Sequence, residues 1–579
     1  MKSVDRIHRT AMPRRKRNEF LGNRSIVTEE TCLRRSRFNL GFPSIQAPSR
    51  KCVILVSLKY PARRHIASSG VPHSARNAVA GENLNMRCGG GAASLRRLGV
   101  FVTAAFITSC TVGPDFSSPA APETKSYTGS EETLASGPGE AAQRFAPGAS
   151  IAADWWAVFH SDALDTTLRQ AIADNHTLAA ARATLLQARE AVVQAGGALY
   201  PQVSLGASAA RQRSNLATLG NSQPVGEFNL FSVGPTVSYA LDPFGGNRRQ
   251  IEEEQALAEG KDYELDAAYL TLTGNAVAEA VNIASLRAQI RTIEGIVADD
   301  QHNVSLVRSE SKAGELTRID LQSAMSQLQN DQALLPPLEQ QLSQAKDALS
   351  LLVGKAPADW TVPDFDLEHF TLPGELPLTL PSNLVHQRPD VLAAEAQLHA
   401  ASAAIGVATA QLYPNITLTG SMAQEALSLH HLFVPAANIW SLAGALTAPI
   451  FEGGALEAQK RGTEHAFDAA LQSYEQTVLQ SFTQVADLLH AMAHDADLVR
   501  DEHGAAATAA ESLRLTREAF PYGSITLLQI LDAERQYEQA RLGYVRAVAQ
   551  RYADTAQLFV AMGGGWRGWR SAEVADRKP

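Results

Sequence analysis

The residues whose types and spacing could perform chemistry are few. His490 and His494 stand four residues apart, a spacing that puts two imidazoles on one face of a helix, as some zinc sites require. No glutamate between them could act as a base, and no third ligand is evident. The chain carries no Walker loop and no Gly-x-Ser-x-Gly motif. We therefore predict no catalytic residue, no metal site and no bound cofactor.

Cys110 is the residue with the clearest predicted chemistry. It ends the run Ile-Thr-Ser-Cys, which follows the basic pair Arg96 and Arg97 and an apolar stretch of signal-peptide length. This run resembles the lipobox of bacterial lipoproteins, in which a small residue precedes the cleavage point and the thiol accepts a diacylglyceryl group. The pattern predicts lipid attachment at Cys110, and the alternative is a buried free cysteine. Cleavage there would remove every other cysteine, so no disulfide within the chain could form.

The amino-terminal region differs in charge from the rest of the chain. Residues 1–85 are rich in arginine and lack an apolar period, so we expect a misassigned start or, alternatively, a disordered basic leader, followed by a signal peptide over 86–109. Residues 1–109 hold 20 Lys and Arg and 5 Asp and Glu, which leaves 31 and 55 of the chain's 51 and 60, a net charge of −24. This balance argues against a nucleic-acid binder. It indicates a solvated acidic surface or an acidic lumen that favours cations.

Four short segments have the alternation of membrane strands. Apolar residues alternate with serine, threonine, glycine and alanine, and each segment has about the ten residues of a tilted transmembrane strand. Aromatic residues such as Tyr200 and Trp440 stand near the segment ends, as an interfacial belt requires. We predict two hairpins with long polar loops, such as 211–229; the alternative is a half-buried soluble sheet. The segments are 202–209, 231–242, 415–422 and 440–447.

Four strands are too few to close a barrel. An open sheet edge in lipid would leave backbone N–H and C=O groups unpaired, which the bilayer does not tolerate. The chain must therefore share its barrel with copies of itself. Two copies would give eight strands and three copies twelve, and the residues by themselves do not choose between these numbers.

Long helices should adjoin these strands. Residues 246–311 contain no proline, which predicts a helix of roughly 100 Å at about 1.5 Å per residue. The run 455–520 is similar. Each should turn at a glycine, Gly314 or Gly523, into a returning helix. We also predict helices over 162–199 and 390–412, each leading into a strand.

The first returning helix carries a heptad seam. Its steps alternate between four and three residues, with one slip between Gln332 and Leu338. Because Pro336 and Pro337 lie at the slip, we expect a kink or a register change there. The seam residues are Leu321, Met325, Leu328, Gln332, Leu335, Leu338, Leu342, Ala345, Leu349 and Leu352.

The second half of the chain repeats the first. The segment that begins at Tyr200 recurs at Tyr413, and the glycines after Phe244 recur after Phe451. The offset between matching pairs drifts only from 208 to 213 residues and their order is kept. A period of this length predicts domain-scale duplication rather than a solenoid repeat.

With these features together, the chain resembles the bacterial outer-membrane efflux factor family, the TolC-like proteins, and within it the lipoprotein NodT-type branch that serves resistance–nodulation–division pumps. The resemblance covers nearly all of the chain after Cys110. It is carried by Cys110-Thr-Val-Gly-Pro-Asp-Phe-Ser-Ser-Pro119, Asp154-Trp155-Trp156, Gln387-Arg388-Pro389-Asp390, Leu531-Asp532-Ala533 and Gly563-Gly564-Gly565-Trp566.

The resemblance implies a mixed fold, a membrane β-barrel plus a long α-helical barrel. Each protomer of a homotrimer would give four transmembrane strands to a shared twelve-stranded barrel. The protein would sit in the cell outer membrane, lipid-anchored, and extend into the periplasm. It would be the passive exit duct of a tripartite efflux pump for drugs or other small molecules, not an enzyme. Its partners would be a periplasmic adaptor (membrane fusion) protein, an inner-membrane resistance–nodulation–division transporter and outer-membrane lipid, with no nucleic acid.

The resemblance also assigns residues to the periplasmic tip. Family members carry two aspartates three residues apart as a gate, and here the positions hold Gln529 and Asp532. A second lock would fall at Phe520 and Ile525. Because Gln529 is uncharged and Ile525 lacks a basic group, we expect a gate that is less charged and held by weaker salt links. The tip turns expected to contact the adaptor are Gly314, Leu316, Thr317, Gly523, Ile525 and Thr526.

The predicted organisation has six parts. After the leader and the signal peptide come a lipidated extension over 110–153, a first repeat over 154–365, a second repeat over 366–566 and a flexible tail over 567–579. Two other functions remain open. One is the exit duct of a type I protein-secretion system, and the other is a periplasmic lipoprotein scaffold without a pore.

Overall fold

The computed structural model describes residues 111–128, 143–149, 151–215 and 224–570. The predicted leader, the predicted signal peptide and Cys110 lie outside the described residues. The strands are β1 (Arg144–Pro147), β2 (Gln202–Asn215), β3 (Pro224–Leu241), β4 (Glu375–Leu378), β5 (Asn415–Ala426) and β6 (Asn438–Thr447). The helices are α1 (Asp162–Asp174), α2 (His176–Gly196), α3 (Gly246–Ala313), α4 (Arg318–Gln332), α5 (Leu335–Val353), α6 (Pro381–Leu384), α7 (Pro389–Ala410), α8 (Ala455–Ala519) and α9 (Leu527–Ala561).

The four predicted membrane strands form one antiparallel sheet in the order β2-β3-β5-β6. As predicted, β2 pairs with β3 and β5 pairs with β6 as hairpins, and β3 joins the two hairpins by pairing with β5. The prediction of a polar loop over 211–229 was wrong, because β2 continues to Asn215 and β3 begins at Pro224. The loop residues alternate less clearly than the strand centres, yet their backbone groups still find partners across the hairpin.

The strand register keeps the apolar residues on one face. Val203 lies opposite Val237, and Met422 lies opposite Trp440. The other face is polar, as where the hydroxyl oxygens of Ser421 and Ser441 lie 2.8 Å apart. Since facing residues of paired strands share a side of the sheet, the alternation in the sequence and the pairing in the structure agree.

A long helix follows each hairpin of this sheet, α3 after β3 and α8 after β6. The helices α3 and α8 have 68 and 65 residues, about 100 Å each at about 1.5 Å per residue. After Gly314 the chain returns through α4 and α5, and after Gly523 it returns through α9. In both halves the order is therefore helix, strand, strand, long helix, returning helix. The origin of this order by duplication, and the boundaries of the two repeats, stay predictions.

The predicted helix over 162–199 is two helices instead. Asn175 interrupts it with an extended backbone conformation, and its buried side chain accepts a hydrogen bond from the N–H of Leu178 at 2.9 Å. The same side chain donates to the carbonyl oxygen of Leu352 at 2.8 Å. Asparagine is among the best residues for a helix N-cap, so a local preference divides an otherwise continuous helical pattern.

The heptad seam of the first returning helix differs from the prediction at one residue. Gln332 is exposed, and Asp331 occupies the buried position with 4% of its surface exposed. The helical run is interrupted at the predicted place, because α4 ends at Gln332 and α5 begins at Leu335, with Pro336 and Pro337 in its first turn. The alternation of steps of four and three residues from Leu328 predicted Gln332 at this position, whereas in the structure the residue before it is the buried one.

The main hydrophobic core lies part-way along the long helices, between the membrane-type sheet and the turns at Gly314 and Gly523. There Trp155 stacks on Phe559 with ring centroids 5.7 Å apart, and Phe159 and Leu349 are fully buried. The helix α7 is long and apolar enough to cross a membrane by length and composition. It packs along α3 and α8 with half of its apolar window buried, as expected of a core helix.

Candidate functional site

The chain segment that follows Cys110 is held where the sheet meets the long helix α3. The N–H of Val112 donates to the carbonyl oxygen of Phe244 at 3.0 Å, just beyond the end of β3. The buried guanidinium of Arg249 donates to the carbonyl oxygen of Val112 at 3.1 Å and to the carboxylate of Asp115 at 2.8 Å. We call residues 111–116 the strap. Its contacts place the first described residues beside the membrane-type sheet.

The turn at Gly314 is one of the two predicted contact regions. Gly314 ends α3 with a φ of +88°, a left-handed conformation that favours glycine. Thr317 and Asp320 then form a capping box at the start of α4, with the N–H of Thr317 donating to the carboxylate of Asp320 at 2.8 Å. This hydrogen bonding lowers the pKa of Asp320. Leu316 is half-buried, and it packs on an apolar cluster shared with the second hairpin.

The turn at Gly523 has the same construction. Gly523 has a φ of +67°, and Thr526 forms a capping box with Gln529 at the start of α9. The N–H of Thr526 donates to the amide oxygen of Gln529 at 2.7 Å. Gln529 therefore has a structural function that an aspartate or a glutamate could share, although it lacks the charge expected of a gate position.

The four predicted gate residues are divided between surface and interior. Gln529 and Asp532 are exposed and lie three residues apart on α9, so they share one face of the helix. The carboxylate of Asp532 accepts hydrogen bonds from Arg535 and from Gln536, both within the same helix. Phe520 and Ile525 are half-buried, and Phe520 packs against the apolar cluster. The gating role of these four residues stays a prediction.

The apolar cluster joins the two hairpins near their turns. It combines α3, α4 and α9, so the turns at Gly314 and Gly523 are parts of one packed end of the molecule. We call this end the tip. Its buried members are Val304, Val307, Ala324, Leu527 and Leu531.

Sequence reasoning missed a group of buried acids behind this cluster. Asp300 of α3, Asp331 of α4, and Glu534 and Glu538 of α9 are each 6% exposed or less. The carboxyl groups of Asp300 and Asp331 are within hydrogen-bonding reach of each other. The signal was in the spacing, because Asp300 and Asp331 each fall four and three residues from apolar core positions. We call these four residues the acid cluster.

Burial changes the acidity of this cluster. The pKa of Asp300 is raised to about 8, first by burial and then by the neighbouring carboxyl of Asp331 and the charges of Glu534 and Glu538. Burial likewise raises the pKa of Glu538 to about 7, with the charge of Asp331 adding to the rise and Arg535 opposing it. Desolvation of the charged form is the common cause.

The sequence motifs that carried the resemblance have structural roles. The guanidinium of Arg388 donates to the carbonyl oxygen of Ala561 at 3.1 Å, at the end of α9. The indole N–H of Trp566 donates to the carbonyl oxygen of Gln387 at 2.7 Å. These motifs thus fasten the start of α7 to the end of the chain, far along the helices from the tip turns.

The main features of this arrangement are the membrane-type sheet and the long helices that continue from it. Within the described ranges, no group of three or more His, Cys, Asp and Glu side chains could hold a metal ion. The sheet β2-β3-β5-β6 has an unpaired edge on β2 and another on β6, and helices of about 100 Å continue from it. A membrane-type sheet with open edges above long helices defines the class of outer-membrane channels with a shared barrel and a helical tunnel.

Comparison with known proteins identifies the family within this class. The sequence profile of the outer membrane efflux protein family matches residues 167–355 and 380–564. The chain belongs to the outer membrane efflux protein family. The fold class predicted from the sequence, a membrane β-barrel plus a long α-helical barrel, is confirmed.

Individual relatives match over most of their length. The outer membrane protein OprJ of Pseudomonas aeruginosa is 30% identical over 492 residues, which cover 80% of this chain and 95% of OprJ. The cation efflux system protein CusC of Escherichia coli is 27% identical over 470 residues, 81% of this chain and 98% of CusC. The structure of the outer-membrane channel OprN superposes with a TM-score of 0.71 at 25% identity, covering 79% of this chain and all of OprN. This protein is accordingly an outer-membrane efflux channel that extends into the periplasm.

Proposed function

We propose that three copies of this chain form a lipid-anchored duct that serves as the outer-membrane exit of a tripartite efflux pump. The observation that carries the proposal is the open sheet. The edges of β2 and β6 are unpaired in one protomer, and in lipid they need strands from neighbouring copies. Three copies with four strands each close a barrel of twelve, in keeping with the family.

The lipid face of the sheet supports this assembly. Val203, Leu205 and Leu442 are more than 70% exposed in the single protomer, which would be unfavourable in water. The same residues would be in contact with hydrocarbon in a membrane barrel, where an outward apolar band is required. The hydroxyl-rich opposite face would line the lumen.

The strap supports lipid attachment at Cys110. Because Val112 and Asp115 are fixed at the junction of sheet and helix, a lipid on Cys110, two residues before Val112, would start close to the membrane interface. Replacing Cys110 by Ser should abolish palmitate labelling while some trimer remains. Labelling that survives the substitution would refute attachment at this residue.

The partners are a periplasmic adaptor and an inner-membrane transporter of the resistance–nodulation–division type. The adaptor would meet the tip turns, where Gly314, Thr317, Gly523 and Thr526 are exposed and Leu316 and Ile525 are half-buried. Relatives named for cation efflux and toluene efflux differ in their cargo, so we leave the exported compound open. We propose that cargo selection belongs to the transporter.

The experiment is reconstitution of the full-length purified protein. The trimer should run as a heat-sensitive oligomer on unheated gels, and it should conduct ions in planar bilayers. A stable monomer without conductance would overturn the duct and favour a scaffold. Cross-linking a cysteine placed at an exposed tip-turn position to a co-expressed adaptor would test the partner separately. An oligomer that conducts ions but does not cross-link would support the duct and refute the adaptor contact at the tip turns.

A further inference from the structure

The acid cluster stands at core positions of the tip. On α3 the buried residues follow steps of four and three, and the central one is an acid. These residues are Ile293, Val297, Asp300, Val304 and Val307. A heptad pattern normally fills every such position with an apolar side chain.

The other two helices show the same exception at the same level. On α4 and α5, Asp331 stands between the core residues Leu328 and Leu338. On α9, Glu534 and Glu538 follow the apolar residue Leu531. Four carboxyl groups thus meet between an apolar cluster on the tip side and the main core on the other side.

The partners of these carboxyl groups are few. The amide of Asn303 donates to Glu534 at 2.6 Å, and the amide of Gln327 donates to Asp331 at 2.9 Å. One carboxyl oxygen of Asp300 and one of Glu534 are fully buried and have no hydrogen-bond partner. An ionised carboxylate with such an oxygen would be costly in this interior.

Positive charge does not balance the cluster. From α8, Arg517 donates to Glu534 at 3.0 Å, but it also pairs with the exposed carboxylate of Asp299 at 2.9 Å. From α9, Arg535 is near Glu538 and is already hydrogen-bonded to Asp532. Two shared guanidinium groups therefore face four buried carboxyl groups and Asp299.

We propose that the acid cluster is a proton-binding site that holds the two hairpins of the tip together when it is protonated and lets them separate when it is ionised. A proton on one carboxyl makes it a donor, so that the O–H of Asp300 or Asp331 can bond the other member of the pair. Loss of that proton leaves two carboxylates that repel each other and must be hydrated. Water reaches them only if α9 moves away from α3 and α4.

The direction of the pH effect follows from the raised pKa values. The carboxyl groups of Asp300 and Glu538 are neutral below about pH 4 in both the packed and the separated arrangement, because a solvated carboxyl has a pKa near 4. Between pH 4 and the raised pKa values of about 7 for Glu538 and about 8 for Asp300, the separated arrangement releases protons that the packed one retains. The packed tip is therefore favoured in acid, and this advantage is lost progressively until about pH 8.

The consequence concerns the predicted gate. Helix α9 carries two members of the acid cluster, Glu534 and Glu538, at buried positions, and it carries Gln529 and Asp532 on its exposed face. Separation of α9 from α3 and α4 would move the gate residues with it. The proton site itself stands independently of the export role, since it depends only on packing within one protomer.

Hydrogen–deuterium exchange of the full-length trimer in detergent tests the proposal. Exchange over 527–545 and 318–332 would be followed from pH 5 to pH 9 and corrected for the intrinsic rate at each pH. We expect the local opening constant to rise by about tenfold per pH unit for each carboxyl up to about pH 7 and to level off above pH 8. Protection that does not change with pH in the wild type would overturn the proposal without any variant.

Neutral variants test the residues. Asp300→Asn combined with Glu538→Gln should keep the tip protected at pH 9 and remove most of the pH dependence. Glu294→Gln, an exposed acid on the same helix, should behave like the wild type. If the double variant loses protection with pH as the wild type does, the acid cluster is not the proton site.

Discussion

The strap offers the sharpest prediction about the described contacts. Arg249 is 4% exposed and holds the strap through the carbonyl of Val112 and the carboxylate of Asp115. Replacing Arg249 by Ala removes both contacts but leaves the helix α3 in place. We expect the strap to open locally while the trimer stays intact.

The magnitude follows from the exposure of each partner. The carboxylate of Asp115 is 97% exposed, so that ion pair contributes at most about 1 kcal/mol. The hydrogen bond from the charged guanidinium to the Val112 carbonyl contributes about 1.5–3 kcal/mol. A combined loss of about 2 kcal/mol corresponds to a rise of roughly 30-fold in the opening constant of the strap.

Hydrogen exchange of peptides that contain residues 111–116 measures this constant directly. The matched control is Arg248→Ala, which removes the neighbouring exposed arginine. Unheated gels would confirm that both variants remain oligomeric. Equal protection of the strap in the two variants would refute the argument that Arg249 holds it.

Three further predictions concern the caps, the sheet and the tip. Asn175→Ala should lower the apparent melting temperature, because it removes a helix cap and a buried hydrogen bond that together contribute about 1–3 kcal/mol. The control Asn282→Ala, at an exposed position, should leave the melting temperature unchanged. Equal melting temperatures for the two variants would contradict the prediction. Leu442→Arg, in the middle of β6, should reduce the amount of membrane-inserted trimer, because an arginine facing lipid costs about 2–4 kcal/mol per protomer. Ser441→Arg, on the other face, should insert normally and shift the ion selectivity of the channel. The reverse pattern in membrane fractionation and conductance would show that the faces are assigned the wrong way round. Gly523→Ala should raise hydrogen exchange at the tip turn by the strain of a left-handed alanine, about 1–2 kcal/mol, and unchanged exchange would show that the turn relaxes freely.

The acid cluster also changes how the gate can be understood. In this chain the gate position Gln529 caps its helix and Asp532 bonds within its helix, so neither residue links the two hairpins. The contacts that do link them include the apolar cluster, the buried acids and the ion pair between Arg517 and Asp299. Control of the tip therefore belongs, in our interpretation, to the interface behind the gate residues.

The sequence by itself determined the strands and the long helices. Alternation over 202–209 and 415–422 has a period that only a strand can satisfy, and the absence of proline over 246–311 leaves a helix uninterrupted. It also determined that one chain owns too little sheet for a barrel. These properties are local or countable, so they can be read without knowing which elements meet.

The tertiary structure decided what depends on contacts distant in sequence. Asn175 divides a predicted helix partly because Leu352 presents a carbonyl to it, 177 residues away. Arg249 holds the strap because the chain returns near Val112. Asp331, rather than Gln332, enters the interface, where it faces Asp300 of another helix, and a pair of carboxyl groups that can share a proton becomes visible only once the helices are packed.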